Sequence, residues 1–225
     1  MIKRIDIDTF FITLITLFWV ITFSYILGDI LNIHYSAILV SPLFVIPSVW
    51  YCKYNKGYYF EPNLFSHEFK NIFIGIKKGA LLGVLIFIII TILDNIALNN
   101  FLFFRTNSGK IITSLIDETF VAVFLMPIII IMAFCEEYFF RGVLYKGLRK
   151  NMGVFLSATI CSLIFTLLHN IGAKITIDLL YTQLSIFCIS MTLCLFLEKQ
   201  KLLSSVIIAH FVFNILKMAT KGALW

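Results

Sequence analysis

Long apolar runs separated by short polar stretches repeat along the chain, at Phe10–Leu27, Ser36–Cys52, Gly79–Leu93, Phe120 to about Lys150, Val154–His169, Ile175–Leu197 and Leu202–Leu216. None alternates with the period of two that a lipid-facing β-strand requires. They are apolar on every helical face, which marks a helix that either lies in a core or crosses a bilayer. The pattern therefore predicts an all-α fold, a polytopic integral membrane helical bundle of seven spans. An eighth would arise if Ile175–Leu197 is two short helices broken around Thr182–Gln183. No linker or internal repeat divides the sequence, so residues 1–225 read as a single membrane-embedded domain.

Composition strengthens this reading. The chain is 60% hydrophobic and 13% charged, with a mean hydropathy of +0.98, and a soluble domain carries about twice that charged fraction. The net charge of +6 does not point to nucleic acid, because Lys and Arg sit at the ends of apolar runs. Lys3 and Arg4, then Lys53, Lys56, Lys70, Lys77 and Lys78, then Arg141, Lys146, Arg149 and Lys150, then Lys199 and Lys201 alternate onto one side. The positive-inside rule places that side, and the N-terminus, in the cytoplasm of a cell whose Ile-, Phe-, Lys- and Asn-rich composition suggests a bacterial plasma membrane. Arg105, Lys110, Lys174, Lys217 and Lys221 fall on the other side. The first apolar run is too long for a signal peptide and reads as a retained span. Cys52, Cys135, Cys161, Cys188 and Cys194 form no CxxC pair and read as free thiols. Gly75, Gly79 and Gly83 recur every four residues, a seam for close helix packing. Trp50 and Tyr51 fit an interfacial aromatic belt. His34 and His67 fall in polar loops and receive no role.

Against this background a few polar groups lie inside the spans: Glu136, Glu137 and Arg141, then His169, then His210 and Asn214. Ionisable residues in a bilayer are costly and mark functional sites by default. Glu136 lies 15 residues before Asn151 and His169 lies 16 after Gly153, so both rise roughly 22–24 Å from one turn. His210 and Asn214, counted from Lys201, reach roughly 14–20 Å. All can share one layer. Glu137 and Arg141, at i and i+4, fall on one face and can pair, while Glu136 is rotated by about 100° and needs another partner. His210 and Asn214, also i and i+4, point one way together.

The ordered set Glu136-Glu137-x-x-x-Arg141, Phe165-x-x-x-His169 and His210-x-x-x-Asn214 resembles the CAAX-protease and bacteriocin-processing family of intramembrane proteases, known as CPBP or Abi. The resemblance covers about Phe120 to Leu216 and implies a glutamate-dependent protease without metal or other cofactor. By that resemblance Glu136 is the general base, holding the attacking water with His169. His210 and Asn214 are implied to stabilise the oxyanion, and Glu137 with Arg141 to form a supporting ion pair. Phe165 is expected to pack. A carboxylate in an apolar site suits the deprotonation of water, and an imidazole and a carboxamide suit an oxyanion. Water must reach this layer, so a polar cavity opening on the cytoplasmic side is expected. The implied substrate is a membrane-associated peptide or protein, including a pheromone or bacteriocin precursor. The rival readings are a non-catalytic self-immunity factor or envelope scaffold of the same family, and a zinc-dependent membrane protease. HExxH, however, fails after His67-Glu68, at Asn71.

Overall fold

The structure, a computed structural model, describes residues 13–22, 41–46, 69–100, 118–169 and 176–221. Cys52, the Trp50–Tyr51 belt, His34, His67, most of the second expected span and Arg105, Lys110 and Lys174 lie outside the described residues.

Every described element is helical. Helix α1 is Thr13–Thr22, and a short 3-10 turn follows at Ser41–Phe44. Helix α2 spans Phe69–Asn100. Helix α3, Glu118–Glu137, passes without a break into a π-helix, Tyr138–Tyr145, and a last turn, Lys146–Arg149. Helices α4 (Val154–His169), α5 (Ile177–Gln200) and α6 (Leu203–Lys221) complete the bundle. By length and composition, Ile72–Ile96, Ile177–Gln200 and Leu203–Thr220 can cross a membrane, with mean hydropathies of 2.4, 1.8 and 1.5. Helices α1 and α4 are shorter and apolar. The chain is a multi-pass helical membrane protein, and large side chains such as Phe18, Leu81, Phe155 and Leu167 face outward, where lipid replaces water.

The break at Thr182–Gln183 that would have added an eighth span does not occur. Helix α5 is continuous through both residues, because neither removes a backbone N–H or strains the helix. Its start is capped by the Thr176 hydroxyl, which accepts from the Leu179 N–H at 3.1 Å. Its end is a left-handed residue, Lys201 (φ 57°), whose N–H returns to the Leu197 carbonyl and reverses the chain directly into α6. The turn expected at Asn151–Gly153 is present, with the Asn151 and Met152 N–H groups both donating to the Leu148 carbonyl.

The glycine seam packs α2 against α6. Gly75 meets Leu202, Gly79 meets Ser205 and Ile208, and Gly83 meets Ala209 and Val212, so the contacts climb in step and the two helices run parallel. A Cβ on Gly79 would run into the Ser205 carbonyl oxygen, and one on Gly83 would lie 2.5 Å from that of Ala209. Only glycine permits this approach. Among the described residues, Lys78, Arg149 and Lys201 meet at one end of the bundle. There Lys78 donates to Gln200 at 3.0 Å, and Glu198 takes Arg149 at 3.2 Å, Lys201 at 2.7 Å and the Tyr145 hydroxyl at 3.0 Å.

Candidate active site

The site is built on four helices around the π-helical turn of α3. A π-helix closes its hydrogen bonds to i+5 rather than i+4, which widens the turn and is common at functional sites. Here every residue of Tyr138–Tyr145 except Gly142 is buried, so the widened turn is the centre of the core. Phe139 and Phe140 pack on Phe44 from the 3-10 turn, each with ring centroids 5.4 Å away, and Phe140 meets Phe165 of α4 edge-on at 4.7 Å.

Arg141, fully buried, shows how this core accommodates charge. One guanidinium nitrogen pairs with Glu137 at 3.0 Å, and another donates to the Ser190 hydroxyl at 2.8 Å and the Ser190 carbonyl at 3.2 Å. The flat cation also lies 4.6 Å from the Phe165 ring centroid. The expected Glu137–Arg141 pair therefore forms, but Glu137 is not occupied by Arg141 alone. The same Oε1 accepts from His210 Nδ1 at 2.7 Å, across from α6.

Glu136, on the adjacent face, looks the other way. Its Oε2 lies 3.9 Å from Nε2 of His169 and 3.9 Å from Nε2 of His210. The layer expected from residue counting is present: α3, α4 and α6 bring one carboxylate and two imidazoles together. His169 Nδ1 lies 2.8 Å from the Phe165 carbonyl, which can only accept, so that nitrogen carries the proton and Nε2 faces Glu136. Phe165 packs as expected, with its ring 4.2 Å from that of His169.

His169, His210 and Asn214 line one cavity with Phe165, Ile186, Ile189, Leu193 and Phe213. Its roughly 30 Å³ exceeds the 10–15 Å³ or so that holds a single water. Most of the lining is apolar. Among the described residues, no three of His, Cys, Asp and Glu are arranged to hold a metal ion.

Residues 118–216 match the model of the family described as type II CAAX prenyl endopeptidase, Rce1-like. Over this segment, a little under half of its length, the chain is similar to Rce1-like CAAX endopeptidases. No curated protein and no solved structure matches the chain. The Rce1-like segment begins with α3 and ends inside α6, so it contains Glu136, Glu137, Arg141, His169, His210 and Asn214.

Sequence reasoning missed three parts of this arrangement. Ser190 anchors Arg141 from α5 but is one of two serines in an apolar run, and nothing in the sequence singles it out. The Glu198 cluster joins the ends of α3 and α5; Glu198 is the lone acidic residue in a basic stretch, a signal that was legible. A buried ion pair between Asp94 and Lys217, 2.6 Å apart, lies in residues just beyond two of the expected spans. Lys217 is thus no loop charge.

Proposed function

We propose that the chain is an intramembrane endopeptidase, needing no metal, that hydrolyses a peptide bond in a membrane-associated peptide or protein. The observation that carries this reading is the placement of Glu136 Oε2 at 3.9 Å from both His169 Nε2 and His210 Nε2, beside a cavity large enough for water. With its proton on Nδ1, neutral His169 offers Nε2 as an acceptor opposite a carboxylate. A water between them donates one proton toward each and turns its lone pairs to the substrate.

In the reaction, the water oxygen bonds to the scissile carbonyl carbon as Glu136 takes its proton, and the carbonyl π pair moves to oxygen. The oxyanion is received by His210 Nε2–H and the Asn214 carboxamide. Collapse re-forms the carbonyl and breaks the C–N bond, with Glu136 returning the proton to the departing nitrogen. Because His210 Nδ1–H is committed to Glu137, a donor at Nε2 requires the doubly protonated ring. In that state Glu136 and Glu137 balance Arg141 and His210, and the buried layer carries no net charge.

The family description supports a substrate held at the membrane. For the bacterial plasma membrane that the composition suggests, the resemblance to the CAAX-protease and bacteriocin-processing family extends the candidates to peptide pheromone and bacteriocin precursors, cleaved by a protein whose N-terminus is cytoplasmic. The test compares peptides released by the purified protein in lipid nanodiscs with those released by Glu136→Ala, with and without a chelator. Cleavage is expected to fall roughly 10²- to 10⁴-fold in the variant and to survive the chelator. Chelator inhibition reversed by zinc would refute the metal-independent mechanism. Identical products from both proteins would refute the enzyme and leave the family's non-catalytic roles.

A further inference from the structure

Helix α6 carries His210, Asn214 and Lys217 at i, i+4 and i+7, one helical face. Two turns, roughly 10 Å, beyond His210 the Lys217 ammonium pairs with Asp94 of α2, Nζ to Oδ2 2.6 Å. The second oxygen of Asp94 accepts from the Tyr181 hydroxyl of α5 at 2.9 Å. Lys217 is 3% exposed and Asp94 5%. The proposed chemistry uses none of these three groups.

Their position relative to the glycine seam is informative. Asp94 follows Gly83 by 11 residues, close to three full turns, so both lie on the face of α2 that meets α6. Gly83 touches the Ala209 carbonyl, the residue before His210. Helix α2 thus holds α6 along the glycine seam, which ends at Ala209 and Val212 on either side of His210, and again through an ion pair beyond Asn214. The seam is apolar and backbone packing; the ion pair adds a directional, polar contact at the far end of the segment that carries His210 and Asn214. In hydrocarbon a displaced Lys217 or Asp94 would lose its partner without gaining water, so the register is sharply specified. Tyr181 ties the same carboxylate to α5, which walls the cavity with Ile186, Ile189 and Leu193.

We propose that Asp94, Lys217 and Tyr181 are positioning residues that set the register of α6 and so aim His210 and Asn214 into the catalytic layer. The catalytic consequence rests on the endopeptidase reading, but the register itself does not. A buried ion pair can often be replaced by apolar residues without loss of stability, so such a replacement separates stability from register. The deciding variant is therefore Asp94→Leu/Lys217→Leu in the full chain in nanodiscs, beside the charge swap Asp94→Lys/Lys217→Asp. Hydrogen–deuterium exchange of residues 206–216 reports the register without reference to proteolysis. Peptide hydrolysis reports the consequence.

The apolar double variant is expected to stay folded and to exchange faster across 206–216 while α4 is unchanged. It should lose roughly tenfold or more in kcat with little change in KM. The charge swap is expected to recover most of both. Wild-type exchange in a folded apolar double variant would overturn the proposal. If that variant does not fold, Tyr181→Phe decides, since it removes a single hydroxyl and leaves both charges of the pair in place: faster exchange in α6 supports the proposal and unchanged exchange overturns it. Faster exchange in variants of a wild type that cleaves nothing would refute the endopeptidase reading and keep the register.

Discussion

His210 Nδ1 lies 2.7 Å from Glu137 Oε1, the oxygen that Arg141 also reaches at 3.0 Å. The two adjacent glutamates therefore differ in kind. Glu137 is fully buried and joins α3 to α6 through an imidazole, whereas Glu136 faces the two histidines that line the cavity. Removing Glu137 leaves a guanidinium and an imidazole without their shared anion, and breaking a buried pair in this way costs about 3–5 kcal/mol. Glu137→Ala is expected to lower the unfolding temperature in detergent sharply, while Glu136→Ala changes it little. Equal melting of the two variants would remove the structural distinction drawn between them.

The glycine seam gives a graded test. Methyl groups at Gly79 and Gly83 would meet backbone carbonyls, which cannot rotate away, and overpacking of this kind costs about 1–3 kcal/mol or more. Gly153, in the turn before α4, has open space where its Cβ would go. Gly79→Ala and Gly83→Ala are therefore expected to be destabilised in a detergent melt, with Gly153→Ala close to wild type. A normal melt for Gly79→Ala would show that α2 and α6 are further apart than described.

Much of this arrangement was legible because spacing along a helix is rigid. Counting from the turns at Asn151–Gly153 and Lys201 was enough to put Glu136, His169 and His210 in one layer, and the i, i+4 rule was enough to pair Glu137 with Arg141. The second partner of Glu137 was hidden because α-helical angles place residues around one helix but say nothing of which neighbour faces them. The π-helical turn was hidden as well, since Tyr138–Tyr145 differs from an α-helical stretch in its hydrogen bonding and not in its composition. Asp94 and Lys217 were lost to a different cause. Ending the expected spans at Leu93 and Leu216 removed each charge from the membrane by one residue, although each is the reason the other can stay there.

The Glu198 cluster is expected to matter less than its number of partners suggests. Glu198 and Arg149 are 27% and 28% exposed, so water and salt screen their attraction, and such pairs contribute about 0.2–1 kcal/mol. Glu198→Gln keeps one acceptor oxygen but loses the charge and turns the other oxygen into an N–H donor. Its melting temperature is expected to fall by a small amount that shrinks further as salt is added, with peptide hydrolysis unchanged. A loss of activity as large as that of Glu136→Ala would instead make the basic end of the bundle part of the catalytic apparatus.

Phe165 links the two histidines to the buried cation, so its substitution separates packing from orientation. Its ring centroid lies 4.2 Å from that of His169, 6.3 Å from that of His210 and 4.6 Å from the Arg141 guanidinium carbon. Phe165→Ala empties the centre of the core and is expected to cost about 3–5 kcal/mol. Phe165→Leu refills much of the volume but offers no flat face for the imidazole and no π-cloud for the guanidinium, an attraction of about 0.5–2 kcal/mol. The leucine variant is therefore expected to fold, to melt only slightly below wild type, and to lose kcat while KM holds, because the His169 ring is no longer held against its neighbour. Should Phe165→Leu match wild type in both rate constants, the ring is a filler of space, and the orientation of His169 rests on the Nδ1 hydrogen bond to the Phe165 carbonyl, which this substitution leaves in place.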